Sequence, residues 1–155
     1  VTDIRHATAE DIPALLGLLR ELFGVEADFR FDAAKAERAL RLLLGAPPLA
    51  CVLVADSGAG GVVGMCSVQL VVSTAEGGPS GLLEDMVVHP AQRGHGLGGR
   101  LLAAAELWAA GKGATRLQLL ADKGNAPALE FYRKAGLDGT RMICLRKFLV
   151  ASRRP

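Results

Sequence analysis

The stretch HPAQRGHGLGGRLLAAAELWA, residues 89–109, decides how the chain is read. Four glycines fall among the seven positions 93–99, and an apolar helical run follows at once. Glycine lowers helix propensity and adds unfolded-state entropy, so this cluster signals a need for positive φ or close backbone approach. A tight strand-to-helix turn requires one or two glycines, not four. Residues 94–99 also fit the G-x-G-x-x-G pattern of a dinucleotide turn, with Asp122 about where a ribose-binding acid belongs. Against that, five residues, His89 to Arg93, precede the first glycine, and only 33 residues follow Asp122, too few for the second half of a doubly wound sheet. No Gly-Lys-Ser/Thr closes a nucleotide P-loop. The remaining reading is a nest of backbone N–H groups at a helix N-terminus aimed at a pyrophosphate, with Arg93 beside it and Arg100 as a second cation.

Outward from this loop, the chain alternates between two periods. Ile4 to Ala7 reads as a short strand. Thr8 and Asp11 form a capping-box pattern, followed by Ile12, Leu15, Leu16, Leu19, Leu22 and Phe23 at helical spacing until Gly24. A second helix runs from an Asp32 cap through Ala36, Leu40, Leu43 and Leu44 to Gly45 and Pro47-Pro48. Residues 49–56 and 62–72 are β-branched runs joined by SGAGG, an antiparallel hairpin, and residues 81–88 (GLLEDMVV) form a fourth strand after a loop over 73–80. The glycine loop leads into a helix with Leu97, Leu101, Ala105 and Trp108 on one stripe, ending near Gly111. Residues 116–121 read as a fifth strand, Asn125 caps a helix with Pro127 in its first turn and Gly136 past its end, and TRMICLRKFLV, 140–150, reads as a last strand. The class is α/β with a mixed sheet, in a single domain over residues 1–155.

Composition narrows the function classes. Half the residues are apolar and 22% charged, as in a globular domain. Eighteen Lys and Arg against 16 Asp and Glu give no field for nucleic acid or a membrane surface. The opening VTDIRHATAED lacks an apolar signal core, no run is long enough for a membrane span, and Arg153-Arg154 reads as a solvated tail. Cys51, Cys66 and Cys144 are scattered in apolar runs, which reads as buried thiols with no metal site and fits a reducing cytoplasm.

Arg93-Gly94-His95-Gly96-Leu97-Gly98 resembles the Q/R-x-x-G-x-G/A motif of the GNAT superfamily, the acyl-CoA-dependent N-acyltransferases. The preceding LLEDMVVHP strand agrees, and so does Asn125 with Phe131-Tyr132 and Gly136-Leu137, which is similar to that family's N-x(5)-FY-x(3)-GF/L segment. The resemblance implies a splayed central sheet flanked by helices, with the fourth and fifth strands parting around the pantetheine arm of acetyl-CoA. Backbone groups of Met86, Val87 and Val88 are then expected to bond that arm as an added strand would. N–H groups of Gly94, His95, Gly96, Leu97, Gly98 and Gly99 would take the pyrophosphate, supplemented by Arg93, and Asn125 would lie against the pantetheine or pyrophosphate.

The implied activity is acetyl transfer to a primary amine by direct attack in a ternary complex, with Val87 or Val88 as oxyanion donor. Tyr132 is the expected general acid for the leaving thiolate; its residue pattern alone reads equally as an aromatic on a buried helix face. Glu84 and Asp85 are adjacent acids in an apolar strand, on opposite faces by simple alternation. Glu84 then shares the Met86 and Val88 face and is the expected base, while Asp85 serves backbone or an arginine. His95 stands where many relatives carry Arg or Lys; His89 ends a strand and His6 is exposed. The acceptor, a small metabolite, an antibiotic or a peptide amine, would meet the loop GVEADFRFD, 24–32. There Glu26 and Asp28 read as solvated or as attractors for an amine, and Phe29 and Phe31 as lids or core. A non-catalytic acyl-CoA-binding module on the same fold is the alternative, and homodimerisation through the last strand is a further expectation.

Overall fold

The computed structural model describes residues 1–26 and 28–150; the Arg153-Arg154 tail lies outside the described residues. Five strands form one sheet in the order β1-β2-β3-β4-β5, with β1 Asp3–His6, β2 Ala50–Asp56, β3 Val62–Ser73, β4 Gly78–Val88 and β5 Leu117–Leu119. Neighbours are antiparallel except β4 and β5, which are parallel and joined by helix α3, Leu97–Gly111. Helices α1, Ile12–Val25, and α2, Ala33–Leu44, precede β2, and α4, Ala126–Lys134, follows β5. This is the mixed α/β architecture the sequence implies.

The sheet has a core on each face. Alternation along β2 sends Val52 and Val54 toward Leu15, Leu19 and Leu40 of α1 and α2, and Cys51, Leu53 and Ala55 toward Leu101, Leu102 and Ala105 of α3. Each fully buried leucine contributes about 2 kcal/mol, so the central strands are the most firmly held part of the molecule. The helix starts follow the expected capping chemistry. Asp11 accepts the Thr8 N–H at 2.7 Å, and the Asp32 carboxylate accepts the Lys35 N–H at 3.0 Å. Arg5 joins β1 to both flanking elements through paired hydrogen bonds to Asp11 (2.8 and 2.9 Å) and Asp56 (2.9 and 2.7 Å).

Two expectations fail. Residues 140–150 form no strand: the run has no ladder partner and is exposed throughout. It is drawn instead toward the loop after α1, where Arg146 Nη1 donates to the Asp28 carbonyl at 3.3 Å and its guanidinium lies 5.7 Å from the centre of the Phe29 ring. Cys144 is consequently exposed, whereas Cys51 and Cys66 are buried as expected. The second failure is the simple alternation in β4. Met65 faces Val87 and Ser67 faces Glu84, so Cys66 alone opposes both Asp85 and Met86. Asp85 takes φ 55°, a left-handed conformation that aspartate tolerates better than most residues, and the strand bulges there.

Candidate active site

The bulge resets the phase of β4. Leu83, Met86 and Val88 all pack toward α3, while Glu84, opposite Ser67, shares the face of Val87, which packs with α1 and α2. Glu84 therefore does not share the Met86 and Val88 face, because the extra residue inverts the alternation after Asp85.

Pairing divides the same strand. On its β5 side, β4 is bonded only at Gly81, Leu82 and Leu83, opposite Leu117, Gln118 and Leu119. Beyond Leu83 the two strands part. The His89 N–H reaches the Val63 carbonyl at 2.8 Å, and Val87 faces Met65 on the same register. Antiparallel alternation thus commits the Val87 backbone to β3 and turns the backbone groups of Met86 and Val88 into the gap. Of the three residues expected to bond a pantetheine arm, Met86 and Val88 turn their N–H groups to the gap, the Val88 carbonyl accepts from Arg93 Nε, and the Val87 backbone is paired with β3.

The gap opens into a groove of about 780 Å³ lined by Met86, Val87 and Val88, by Gln92, Arg93, Gly94, Gly96, Leu97, Gly98 and Gly99, and by Asp122, Gly124, Asn125, Pro127, Ala128, Phe131 and Tyr132. Leu22 and Val25 of α1 complete it. These two were missed in the sequence because they extend the same apolar stripe that fills the core. At the loop, Gly94 and Gly96 hold φ 82° and 75°, where an L-residue is strained, and Gly96 caps α3. Gly98 serves packing: a Cβ there would sit 3.3 Å from the Phe131 ring. The positive end of α3 and its unpaired N–H groups face the groove, an arrangement suited to a pyrophosphate.

Several expected contributors occupy different places. Arg93 is tethered, its Nε donating to the Val88 carbonyl at 2.9 Å, so it anchors the strand end while lining the groove. His95 is exposed, its Nδ1 3.3 Å from the Gln92 carbonyl, and is not among the lining residues, because the flanking positive-φ glycines turn it outward. Asn125 lines the groove, but its Oδ1 accepts the Ala128 N–H at 3.2 Å to cap α4, which leaves its amide N–H₂ for a ligand. His89 caps the short turn after β4 by accepting the Ala91 N–H at 3.3 Å.

The ionisable groups gather where β4 bulges. Tyr132 is half-buried and packs edge-on against Phe131 at 5.1 Å; burial, with Cys66 and Glu26 nearby, pushes its phenol up to about 12. The Asp85 carboxyl is pushed up to about 6, chiefly by burial and then by the Glu84 charge, against one opposing hydrogen bond from Ser67 Oγ at 3.4 Å. Among the described residues no arginine is bonded to it. Glu84 is exposed and lines neither this groove nor the smaller cavity below. Glu26, read as solvated, is half-buried, and burial together with Asp85, Asp122 and Glu84 raises its carboxyl above the ordinary range. Phe29 and Phe31 pack on Phe23 of α1 at 5.7 and 6.3 Å between ring centres.

Asp85 also lines a second cavity of about 220 Å³ between α1 and α2, with Leu19, Phe23, Leu40 and Leu43 as walls and Arg30, Asp32 and Lys35 among its other lining residues. Asp85 is not among the residues that line the groove; Met86, next in sequence, is. Among the described residues no group of three or more His, Cys, Asp or Glu side chains is placed to hold a metal ion. No described helix is long and apolar enough to cross a membrane.

Comparisons with known proteins place the chain in a family and a fold. The chain is 32% identical over 136 residues to the aminoalkylphosphonate N-acetyltransferase of Salmonella typhimurium, covering 88% of this chain and 84% of that protein. An integron cassette protein from the mobile metagenome of Cole Harbour Salt Marsh superposes with a TM-score of 0.81 at 28% identity, over 95% of this chain and 90% of the other. The aminoglycoside N-acetyltransferase AAC(6')-Iy in complex with CoA shares the fold, with a TM-score of 0.80 at 19% identity over 97% and 96% of the two chains. The model of the acetyltransferase (GNAT) family matches residues 13–137, and the chain is accordingly an acetyltransferase belonging to that family.

Proposed function

We propose that the protein moves the acetyl group of acetyl-CoA to the primary amine of a small acceptor, by direct attack while both are bound. The single observation that carries this reading is the parting of β4 from β5 after Leu83, which opens a groove lined by the N-terminus of α3 and by Tyr132, with Asp85 next in sequence to Met86 at the bulge. The pantetheine arm pairs with the free N–H of Val88, whose carbonyl is held by Arg93, and the Met86 N–H, next to the bulge, faces the thioester carbonyl as oxyanion donor. The pyrophosphate sits on the loop from Gly94 to Gly99.

Asp85 takes the base role expected of Glu84. It is the half-buried acid at the bulge, and a carboxyl held up near 6 accepts a proton more readily than an ordinary one while staying ionised at neutral pH. Glu84 contributes through its charge, which helps hold Asp85 up. One ammonium proton leaves through Asp85 to solvent. The neutral amine attacks the thioester carbon, the C–S bond breaks, and the Tyr132 phenol protonates the departing thiolate; the second nitrogen proton then restores the phenol. A phenol pushed up to about 12 is fully protonated whenever the amine is competent to attack.

For the acceptor, the relative's aminoalkylphosphonate pairs an amine with an anionic group, and the cavity beside Asp85 pairs an acid with Arg30 and Lys35. An amine bearing a phosphonate or carboxylate fits that arrangement better than a polyamine. The unpaired buried thiols and the CoA substrate fit a reducing cytoplasm. The test is free-thiol release from acetyl-CoA with aminoalkylphosphonates, amino acids, aminoglycosides, polyamines and peptides, for wild type, Asp85→Asn and Tyr132→Phe. Amine-dependent release, fastest with the anionic amines and depressed in both variants, is expected; release unchanged in both variants would remove the assigned acid and base.

A further inference from the structure

We infer that Arg146 is a positioning residue for the acceptor: by clamping the loop after α1 it holds Arg30 in place for the acceptor's anionic end. This role rests on the acetyl-transfer reading, which gives the cavity beside Asp85 to the acceptor. Arg30 and Lys35 both line that cavity, but they are held in different ways. Lys35 belongs to the first turn of α2, where its backbone N–H is bonded to the Asp32 carboxylate at 3.0 Å. Arg30 belongs to no helix or strand. Its place is set by whatever fixes residues 28–32, and a long side chain on an unrestrained loop must give up backbone and rotamer freedom to bind a ligand.

What fixes this loop comes from far along the chain. The Arg146 guanidinium lies 5.7 Å from the centre of the Phe29 ring and 5.2 Å from that of Phe148. Its Nη1 donates to the Asp28 carbonyl at 3.3 Å, and its Nη2 stands 4.0 Å from the Asp28 carboxylate. A planar guanidinium can lie against aromatic rings and still donate from its edge, which a lysine ammonium cannot do as well. From Phe29 the contacts run inward. Phe29 stacks on Phe23 with 5.7 Å between ring centres, and Phe23 is itself a wall of the cavity. Phe31 packs on the same ring at 6.3 Å, with the Arg20 guanidinium of α1 4.9 Å from its centre. Arg30 thus has both sequence neighbours pinned to one side chain of α1. Arg20 secures the Phe31 end from within that helix, whereas the Phe29 end depends on Arg146. Cutting this clamp releases Asp28 and Phe29 and leaves Lys35, Asp85 and the acetyl-CoA groove as they are.

Steady-state thiol release from acetyl-CoA tests this, with aminoethylphosphonate as acceptor and propylamine as an acceptor lacking the anion. Wild type is compared with Arg146→Ala, Arg146→Lys, Arg30→Ala and the Arg146→Ala/Arg30→Ala double variant. Arg146→Ala is expected to raise KM for aminoethylphosphonate about tenfold, with kcat and the KM values for acetyl-CoA and propylamine unchanged. Arg146→Lys keeps the charge but loses the ring contacts and should fall between. Arg30→Ala should raise the same KM at least as far, and adding Arg146→Ala to it should cost nothing more, because the clamp acts through Arg30. NMR backbone relaxation reads the loop without any acceptor. Order parameters of Asp28 to Phe31 are expected near the ~0.85 of rigid backbone in wild type and below about 0.6 in Arg146→Ala. Equal KM increases for both amines, additive effects of the two arginines, or order parameters unchanged in Arg146→Ala would each overturn the inference. No release by wild type with either amine, with the loop nonetheless loosened in Arg146→Ala, would remove the acetyl-transfer reading and the acceptor role with it, while the clamp itself would stand.

Discussion

The two halves of β4 have the same neighbours in sequence but different bonding. From Gly78 to Leu83 the strand is flanked on both sides, by β3 and, at Gly81 to Leu83, by β5; from Glu84 to Val88 it is bonded to β3 alone. The first half is structural, with Ser80, Gly81 and Leu83 buried. A Cβ on Gly81 would meet Leu117 Cδ1 at 2.7 Å and Ala109 Cβ at 3.3 Å, so the side chains of β5 and α3 pack directly over that glycine. The second half carries the bulge, the one non-glycine residue at positive φ among the described residues, and a carboxyl pushed well above its ordinary range. A single strand thus supplies both the rigid support of the sheet and an open edge for a ligand, and the change falls where the bulge interrupts the ladder.

If that division is correct, changes in the second half should affect chemistry far more than folding. The largest effect is expected for Asp85→Asn, a loss of about 10² to 10⁴ in kcat/KM, with the rising limb near pH 6 of the wild-type profile abolished. Stability should move the other way. The folded state holds the Asp85 proton more tightly than the unfolded chain, whose carboxyl stays near 3.8, so this residue's contribution to stability falls as pH rises from about 4 through 6. Asp85→Asn removes that cost and should raise the unfolding free energy at pH 8, read from urea titration, by up to about 3 kcal/mol. A variant that loses activity and stability together would contradict the division.

Tyr132→Phe comes next, with kcat lowered about 10²-fold and KM for acetyl-CoA little changed, because the ring and its packing on Phe131 remain. Wild type should show no falling limb from this phenol below about pH 12. Gly96→Ala forces a side chain into φ 75° at the helix cap and should weaken acetyl-CoA binding about tenfold, from roughly 1–2 kcal/mol of strain at the loop, read by calorimetry. Smallest for catalysis is Arg5→Ala, far from the groove. It cuts the ties from β1 to Asp11 and Asp56 and should lower Tm by a few degrees with kcat unchanged.

The sequence made some of this architecture readable and hid the rest for identifiable reasons. Caps at Asp32 and Asn125, the helical stripes and the glycine loop are local signals, and the elements they announce are present. The parting of β4 and β5 followed from the motif resemblance alone, since no residue between Glu84 and Val88 announces that its neighbour is missing. The bulge was hidden because Leu83-Glu84-Asp85-Met86-Val87-Val88 satisfies simple alternation on paper. Only the register with β3, a contact between residues distant in sequence, shows that one residue is extra, and that residue underlies the proposal of Asp85 rather than Glu84 as base. Residues 140–150 have the composition of a strand, but a strand also needs an edge to pair with, and this run makes no ladder with the sheet.

The open half of β4 is tested most directly by amide hydrogen exchange of the N–H groups of Met86 and Val88, with and without acetyl-CoA. The account predicts that both exchange freely in the free protein and become protected when acetyl-CoA binds, while Leu82 and Leu83, already held between two strands, change little. Protection of Met86 and Val88 before ligand is added, or no change on saturation with acetyl-CoA, would contradict it.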